Sequence, residues 1–379
     1  MTKAVFIAFD PYPSFKGSAI HIDQVVATLD AVYGRPLVLT LPGLAPLDAL
    51  HFQLATADTN YLQRGQAFTD LAVSRLRDEQ QLSIGHFRDI WGGLALLTQP
   101  HILPIFEVNG FPSIELPYRY GAIAPETLQK LEQLENLCLR EAAKIITPSE
   151  TIFREIRQRG IPAAKIELIP NGANIPPPQA KPVGLPEQYL VYFGAFQPWQ
   201  GVDVLFRAMK YLQDQPQLKL VVCSSHPPHR SKKLVKFAHH LGIAEQLVWF
   251  HQLEKEQLFA VVEHAFCSVA PLIECSRNIR QGCSPLKIFE SMACATPVIA
   301  SNLPVCEEII THHENGILVR PGRPAELAQC IRDLALSPIK SQQLGAAAQQ
   351  HIAKKYDWAS IRTQLSKVYQ TTPFETFFA

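Results

Sequence analysis

The feature that most constrains this chain is a rhythm. Short apolar runs alternate with longer amphipathic stretches, and a proline-rich break interrupts the rhythm near the middle. Strand-like runs before the break are Ala4–Phe9, Pro36–Leu41, Ile102–Val108, Lys144–Thr147 and Ile166–Ile169. After it come Tyr189–Phe193, Leu218–Cys223, Leu247–Phe250, Cys267–Pro271, Pro297–Ala300 and Gly316–Val319. Helical periodicity fills the gaps, as at Ile20–Val32, Glu126–Ala143 and Val202–Leu212. Such alternation predicts an α/β fold of parallel sheets covered by helices. The break is Ile175–Pro182, which follows Asn171-Gly172-Ala173-Asn174. Proline continues neither a helix nor a central strand, so this segment reads as a stiff, exposed connector. Two doubly wound domains are expected, over residues 1–176 and 183–355, with ligands at the carboxyl ends of their strands, in the cleft between them. The tail, 356–379, carries Trp358, Ile361, Leu365 and Tyr369 at helical spacing, and is expected to form a last helix packed on a neighbouring domain.

A length of 379 residues suits two domains. Lys plus Arg number 35 against 34 Asp plus Glu, a net charge of +1. That balance argues against a nucleic-acid binder driven by bulk charge. No run of about 18 apolar residues is present, so a spanning helix is not expected. The apolar stretch at the N-terminus is too short for a signal peptide and reads as a buried strand. Eight cysteines without a Cys-x-x-Cys pair do not make a disulfide framework, and a reducing cytoplasm is the expected location.

The segment Glu274–Ser301 carries most of the chemistry. Ser284 suits a helix N-cap and Pro285 the first helical position. Free amides at a helix start, with the helix dipole, attract a phosphate. Lys287 lies in the first turn, where a cation opposes the dipole unless an anion binds there. Glu290 follows three residues later, on the same face. The rise from Pro285 to Glu290 is about 7 Å at 1.5 Å per residue. That is roughly the span from a diphosphate to a ribose diol, which a carboxylate can accept hydrogen bonds from. The plainer alternative stays open: an ordinary Ser-Pro helix start with a solvated Lys287 and a surface Glu290.

At these residues the sequence resembles the donor-binding half of retaining glycosyltransferases of family 4, which have the GT-B fold. It resembles in particular the branch whose donor helix reads Ser-Pro-Leu-Lys-Ile-x-Glu, here Ser284-Pro285-Leu286-Lys287-Ile288-Phe289-Glu290. The matching segments are Glu290-Ser291-Met292-Ala293 with Ala295-Thr296-Pro297-Val298-Ile299-Ala300; Ile145-Ile146-Thr147-Pro148-Ser149-Glu150; and Lys165–Asn174. Tyr192-Phe193-Gly194 with Pro198–Asp203, Asn315–Val319 and Tyr356-Asp357-Trp358 also match, and all fall in the family's order. The resemblance implies two Rossmann-like domains, an acceptor at the first and a nucleotide-sugar at the second, with the tail helix crossing back to the first. It implies a hexosyltransferase using a UDP- or GDP-sugar and a glycan or lipid-linked acceptor. It also implies no cofactor and no metal, in keeping with the lack of an Asp-x-Asp motif.

The chain departs from the family pattern at three positions. An Arg and a Lys that contact the diphosphate are replaced by Ala195 and Gln200, and a Glu that contacts the donor sugar is replaced by Gly282. Lys287, Arg280 and, less directly, Arg277 are the expected substitute cations, and Glu274 is a substitute acid if the intervening loop bulges. Leu286, Gly282, Gly194 and Gly17 are the remaining expected donor-binding positions; Gly17-Ser18-Ala19 would let backbone approach the diphosphate closely, although it also reads as a plain turn into a helix. His86 and Arg88 lie at a strand end in the first half, as does Asn109. They are the expected acceptor-side groups, with His86 near the chemistry; a satisfied structural histidine is the alternative. Phe111, Tyr118 and Tyr120 read either as a stacking platform for a sugar or as loop packing. The stretch containing His226, His229, Lys232, Lys233, Lys236, His239 and His240 reads as a solvated helix face or a peripheral membrane contact. Transfer rests on stabilising the leaving diphosphate through Lys287, the Ser284 helix start and Arg280. A nucleotide-sugar-binding module without turnover is the rival expectation, favoured by Ala195, Gln200 and Gly282. An epimerase on the same fold is a second rival.

Overall fold

The computed structural model describes residues 3–58 and 60–372. It divides into two compact units, Met1–Pro170 with Ala359–Ala379, and Asn171–Trp358.

The strands of the first unit are β1 (Ala4–Pro11), β2 (Leu37–Leu41), β3 (His51–Gln53), β4 (Ile84–Phe87), β5 (Leu103–Glu107), β6 (Lys144–Thr147) and β7 (Ile166–Leu168). They form one sheet in the order β3-β2-β1-β4-β5-β6-β7, parallel throughout. Helices on both faces bury β1, β2, β4 and β5 almost completely, which is why those strands read as continuous apolar runs. The second unit has β8 (Tyr189–Gly194), β9 (Lys219–Ser224), β10 (Leu247–His251), β11 (Cys267–Ala270), β12 (Val298–Ser301) and β13 (Ile317–Val319). Their order is β10-β9-β8-β11-β12-β13, again all parallel. In each unit the chain runs outward along one half of the sheet and then starts again beside its first strand. That places a topological switch point between β1 and β4, and another between β8 and β11.

Two short strands escape the periodicity. Edge strand β3 has three residues, too few to alternate visibly. In β4, His86 interrupts an otherwise apolar run, yet it is fully buried. The division between units falls after Pro170 rather than at 176. Asn171 donates from its backbone N–H to Ser284 Oγ (3.2 Å) and from its side chain to the Ser284 carbonyl (2.7 Å). Ala173 N–H donates to the Tyr356 carbonyl. These bonds hold the start of the connector within the second unit. The tail forms the helix Trp358–Thr371, and Ala359 onward belongs to the first unit. There Tyr33 Oη donates to the Tyr369 carbonyl at 2.8 Å, and Arg362 donates to Gln24 at 2.7 Å.

Candidate donor and acceptor sites

In the second unit the switch point gathers three segments: the end of β8 with the turn 195–201, the loop leaving β11, and the helix Leu286–Ala293. Gly201 (φ 66°) ends the turn so close to the loop that a Cβ there would lie 1.8 Å from the Pro271 carbonyl oxygen. Only glycine fits. The buried Asn278 amide then ties the loop down, donating to the carbonyls of Trp199 (3.0 Å) and Ile273 (2.7 Å).

Lys287 lies across this platform. Its Nζ donates to Gln200 Oε1 at 2.7 Å and sits 4.2 Å from the centre of the Tyr192 ring. A Cβ on Gly194 (φ 117°) would lie 3.7 Å from Lys287 Cε and Nζ, so the lysine stem passes over the bare end of β8. Burial lowers its amine to about 7, against the smaller opposing influence of Cys283, Cys306 and Glu290. Glu290, one turn on, is only 7% exposed. Burial raises its carboxyl to about 7, moderated by Lys255 and Lys287. A cation and an acid, both tuned to neutrality, thus share one face of a helix start.

The helix begins one residue later than the Ser-Pro signal suggests. Pro285 occupies the cap position and Leu286 is the first helical residue. Ser284 lies one residue before the cap, and its hydroxyl accepts from Asn171 N–H. Gly282 ends a five-residue π-turn, Arg277–Gln281, with φ 79°. A side chain there would be strained, which accounts for the glycine at this position. Arg277 is held by this loop: its guanidinium lies 5.0 Å from the Trp199 ring centre and donates to the Gly282 carbonyl. Arg280 and Glu274 are both exposed on the loop.

In the first unit a buried carboxylate organises the strand ends. Glu107, at the end of β5, is 1% exposed. Its Oε1 accepts from His21 Nε2 (2.9 Å), Arg88 Nε (3.1 Å) and Asn109 Nδ2, and its Oε2 from His86 Nε2 (2.9 Å). Burial alone would raise this carboxyl. His21, Arg88 and the hydrogen bonds outweigh it and hold the group well below its ordinary value. Arg88 and Asn109 therefore meet at one carboxylate. His86 meets it too, but is 0% exposed. Its Nδ1 accepts from Tyr369 Oη (2.8 Å) while Nε2–H donates to Glu107. Burial lowers its pKa, so it is a neutral, fully satisfied core histidine rather than a group presented to a substrate. His21, Glu107 and Tyr369 were not legible as members of this cluster, since they lie on three distant segments. Gly17 opens the helix Gly17–Tyr33 as an exposed first residue after Lys16, the plain turn into a helix. Phe111 is also core, covered by Arg159 at 3.8 Å, whereas Tyr120 is 59% exposed.

Two parallel-sheet Rossmann-like units match the GT-B fold, and the family matches make this a glycosyltransferase family 4-like protein. Residues 16–175 match the family Glycosyltransferase Family 4, and residues 178–351 match Glycosyl transferases group 1. Among curated relatives, a D-inositol 3-phosphate glycosyltransferase of Thermobispora bispora is 27% identical over 66% of this chain and 65% of its own length. The match thus spans about two thirds of that relative. Among solved structures, sucrose-phosphate synthase from Thermosynechococcus elongatus superposes with a TM-score of 0.81 at 19% identity, covering 98% of both chains. Anabaena HepE, solved in complex with UDP-glucose, superposes with a TM-score of 0.77 at 16% identity, covering 98% of this chain and all of that one. Among the described residues no helix is long and apolar enough to cross a membrane, and no group of three or more His, Cys, Asp or Glu side chains is placed to hold a metal.

Proposed function

We propose that this protein is a retaining hexosyltransferase that takes a nucleotide-sugar as donor and a glycan or lipid-linked acceptor. The observation that carries the reading is the pairing of Lys287 with Glu290 at the β8/β11 switch point, in the half that matches the group 1 family. Lys287 and the free amides at the start of Leu286–Ala293 take the diphosphate, and Glu290 takes the ribose diol. Arg280, on the exposed loop before them, adds a second cation. In the transfer, the bond from the sugar's anomeric carbon to the phosphate oxygen breaks. A bond to the acceptor hydroxyl oxygen forms on the same face, and the hydroxyl proton passes to a donor phosphate oxygen. The protein's main contribution is fixed positive charge where the leaving diphosphate gains negative charge. No cofactor or metal takes part. UDP-sugars come first as donors, in line with the UDP-glucose bound by the HepE neighbour, and GDP-sugars second. Arg88 and Asn109, oriented by Glu107, serve the acceptor. For a lipid-linked acceptor, the basic residues exposed on the helix Lys232–Leu241 supply a peripheral membrane contact.

A thermal-shift screen of UDP- and GDP-sugars, followed by nucleotide release with and without acceptor glycans, tests this reading. Donor stabilisation with acceptor-dependent release supports it. Stabilisation without release under any acceptor marks a binding module without turnover, and donor consumption without acceptor marks an epimerase. No stabilisation by any nucleotide-sugar overturns the donor site.

A further inference from the structure

We propose that Gln200 and Tyr192 are positioning residues for Lys287: they hold its ammonium over the end of β8 without neutralising it, and a nucleoside diphosphate displaces the Gln200 oxygen when it binds. This deepens the donor-site reading and rests on it. An ammonium has three donor hydrogens and no acceptor. Here one is aimed at a neutral amide oxygen, Gln200 Oε1, at 2.7 Å. The charge also faces the Tyr192 ring at 4.2 Å, within the range of a cation–π contact. The ring is a fixed platform. Tyr192 is 0% exposed, and its hydroxyl donates to the Ala195 carbonyl at 2.7 Å. Gly194 leaves the space through which the lysine stem reaches it.

The chemistry of the partner matters. A carboxylate at position 200 would form an ion pair that an incoming diphosphate must break and would repel the diphosphate itself. A lysine there would face a second ammonium across a hydrogen-bond distance. Glutamine orients the amine and leaves its charge available. The groups acting on the Lys287 amine are Cys283, Cys306 and Glu290, all of which favour the charged form, while burial opposes it. The ring face and the amide oxygen also favour the charged form. Removing either therefore lowers the pH at which Lys287 loses its proton.

The test needs no nucleotide in its first arm. Lys287 is labelled competitively with acetic anhydride from pH 6 to 10 and read by mass spectrometry, with the exposed Lys354 as reference. Gln200→Leu and Tyr192→Leu are expected to lower the Lys287 midpoint, and Gln200→Glu to raise it by about one pH unit through the new opposite charge. Tyr192→Phe keeps the ring and is expected to keep the wild-type midpoint. In the second arm UDP is added. It is expected to protect Lys287 in the wild type, and Gln200→Glu to weaken UDP binding about tenfold. Midpoints that ignore both Gln200 substitutions overturn the positioning proposal, even if UDP protects. Midpoints that move as stated, with no protection by UDP or GDP, uphold the positioning of Lys287 and overturn the donor-site reading. Tyr192 is buried, so its leucine variant can fail to fold. The half-buried Gln200 pair carries the test by itself in that case.

Discussion

The Lys287 ammonium is bonded to the side-chain oxygen of Gln200, 87 residues away in sequence, at 2.7 Å. The resemblance set out in the sequence leads one to expect a lysine where Gln200 stands. Here a neutral glutamine stands at that position and supports Lys287 on the neighbouring helix. A substitution that looked like the loss of a catalytic cation is thus part of how another cation is held.

If Lys287 carries the leaving-group charge, Lys287→Ala lowers kcat by about 10²–10³-fold, the usual loss for one preorganised donor. Arg280→Ala has a smaller effect, because an exposed loop arginine is held less rigidly. Single-turnover transfer at saturating donor measures both. A Lys287→Ala enzyme near full rate contradicts the assignment.

UDP affinity should fall as pH rises from about 6.5 to 9. The Lys287 amine is lowered to about 7 by burial, so its charge is lost across this window, whereas an unperturbed lysine stays charged to about 10.4. Calorimetry at several pH values checks this, and Lys287→Met should remove the fall, leaving only the rise as Glu290, raised to about 7, gains its charge.

Glu290→Ala is expected to weaken UDP binding by about 1–3 kcal/mol, the cost of a lost charge-assisted acceptor. The same residue has a stability signature. Its carboxyl is raised from 4.5 to about 7, so between those values the folded state holds a proton the unfolded state has lost. Its contribution to stability is therefore present at low pH and declines as pH rises through that window. Lys287, lowered from 10.5 to about 7, acts oppositely, adding stability as pH rises from about 7 to 10.5. Urea unfolding across pH should show both slopes, and Glu290→Gln should abolish the first.

Glu107→Gln should destabilise the protein by about 3–5 kcal/mol, the range for breaking a buried ion pair. The amide cannot accept from His21, His86, Arg88 and Asn109 together. Because the Glu107 carboxyl is held well below its ordinary value, the stability it contributes is present at neutral pH and is lost as pH falls through its folded pKa. Thermal unfolding of wild type and variant at pH 7 and pH 4 should show the difference narrowing in acid.

If, as proposed, amides at a helix start and basic side chains serve the diphosphate, transfer should be unaffected by EDTA. Turnover lost to EDTA and restored by Mg²⁺ or Mn²⁺ would contradict this.

Much of this protein was determined by its sequence alone. The apolar runs are continuous because parallel strands are covered on both faces, so two parallel sheets and most of their strands could be read without coordinates, whereas the order of the strands within each sheet could not. The Lys287–Glu290 pair was legible because a helix converts a three-residue spacing into a shared face. Tertiary structure decided the rest. Ser284 looked like a helix cap but accepts from Asn171 instead, 113 residues distant. His86 looked available but is satisfied from both sides, by Glu107 and by Tyr369 of the tail helix. Gln200 looked like a deficit until Lys287 was seen resting on it. Each of these turns on a polar side chain choosing one partner among many. Periodicity records which face of an element is buried, but the identity of a distant hydrogen-bond partner leaves no period in the sequence.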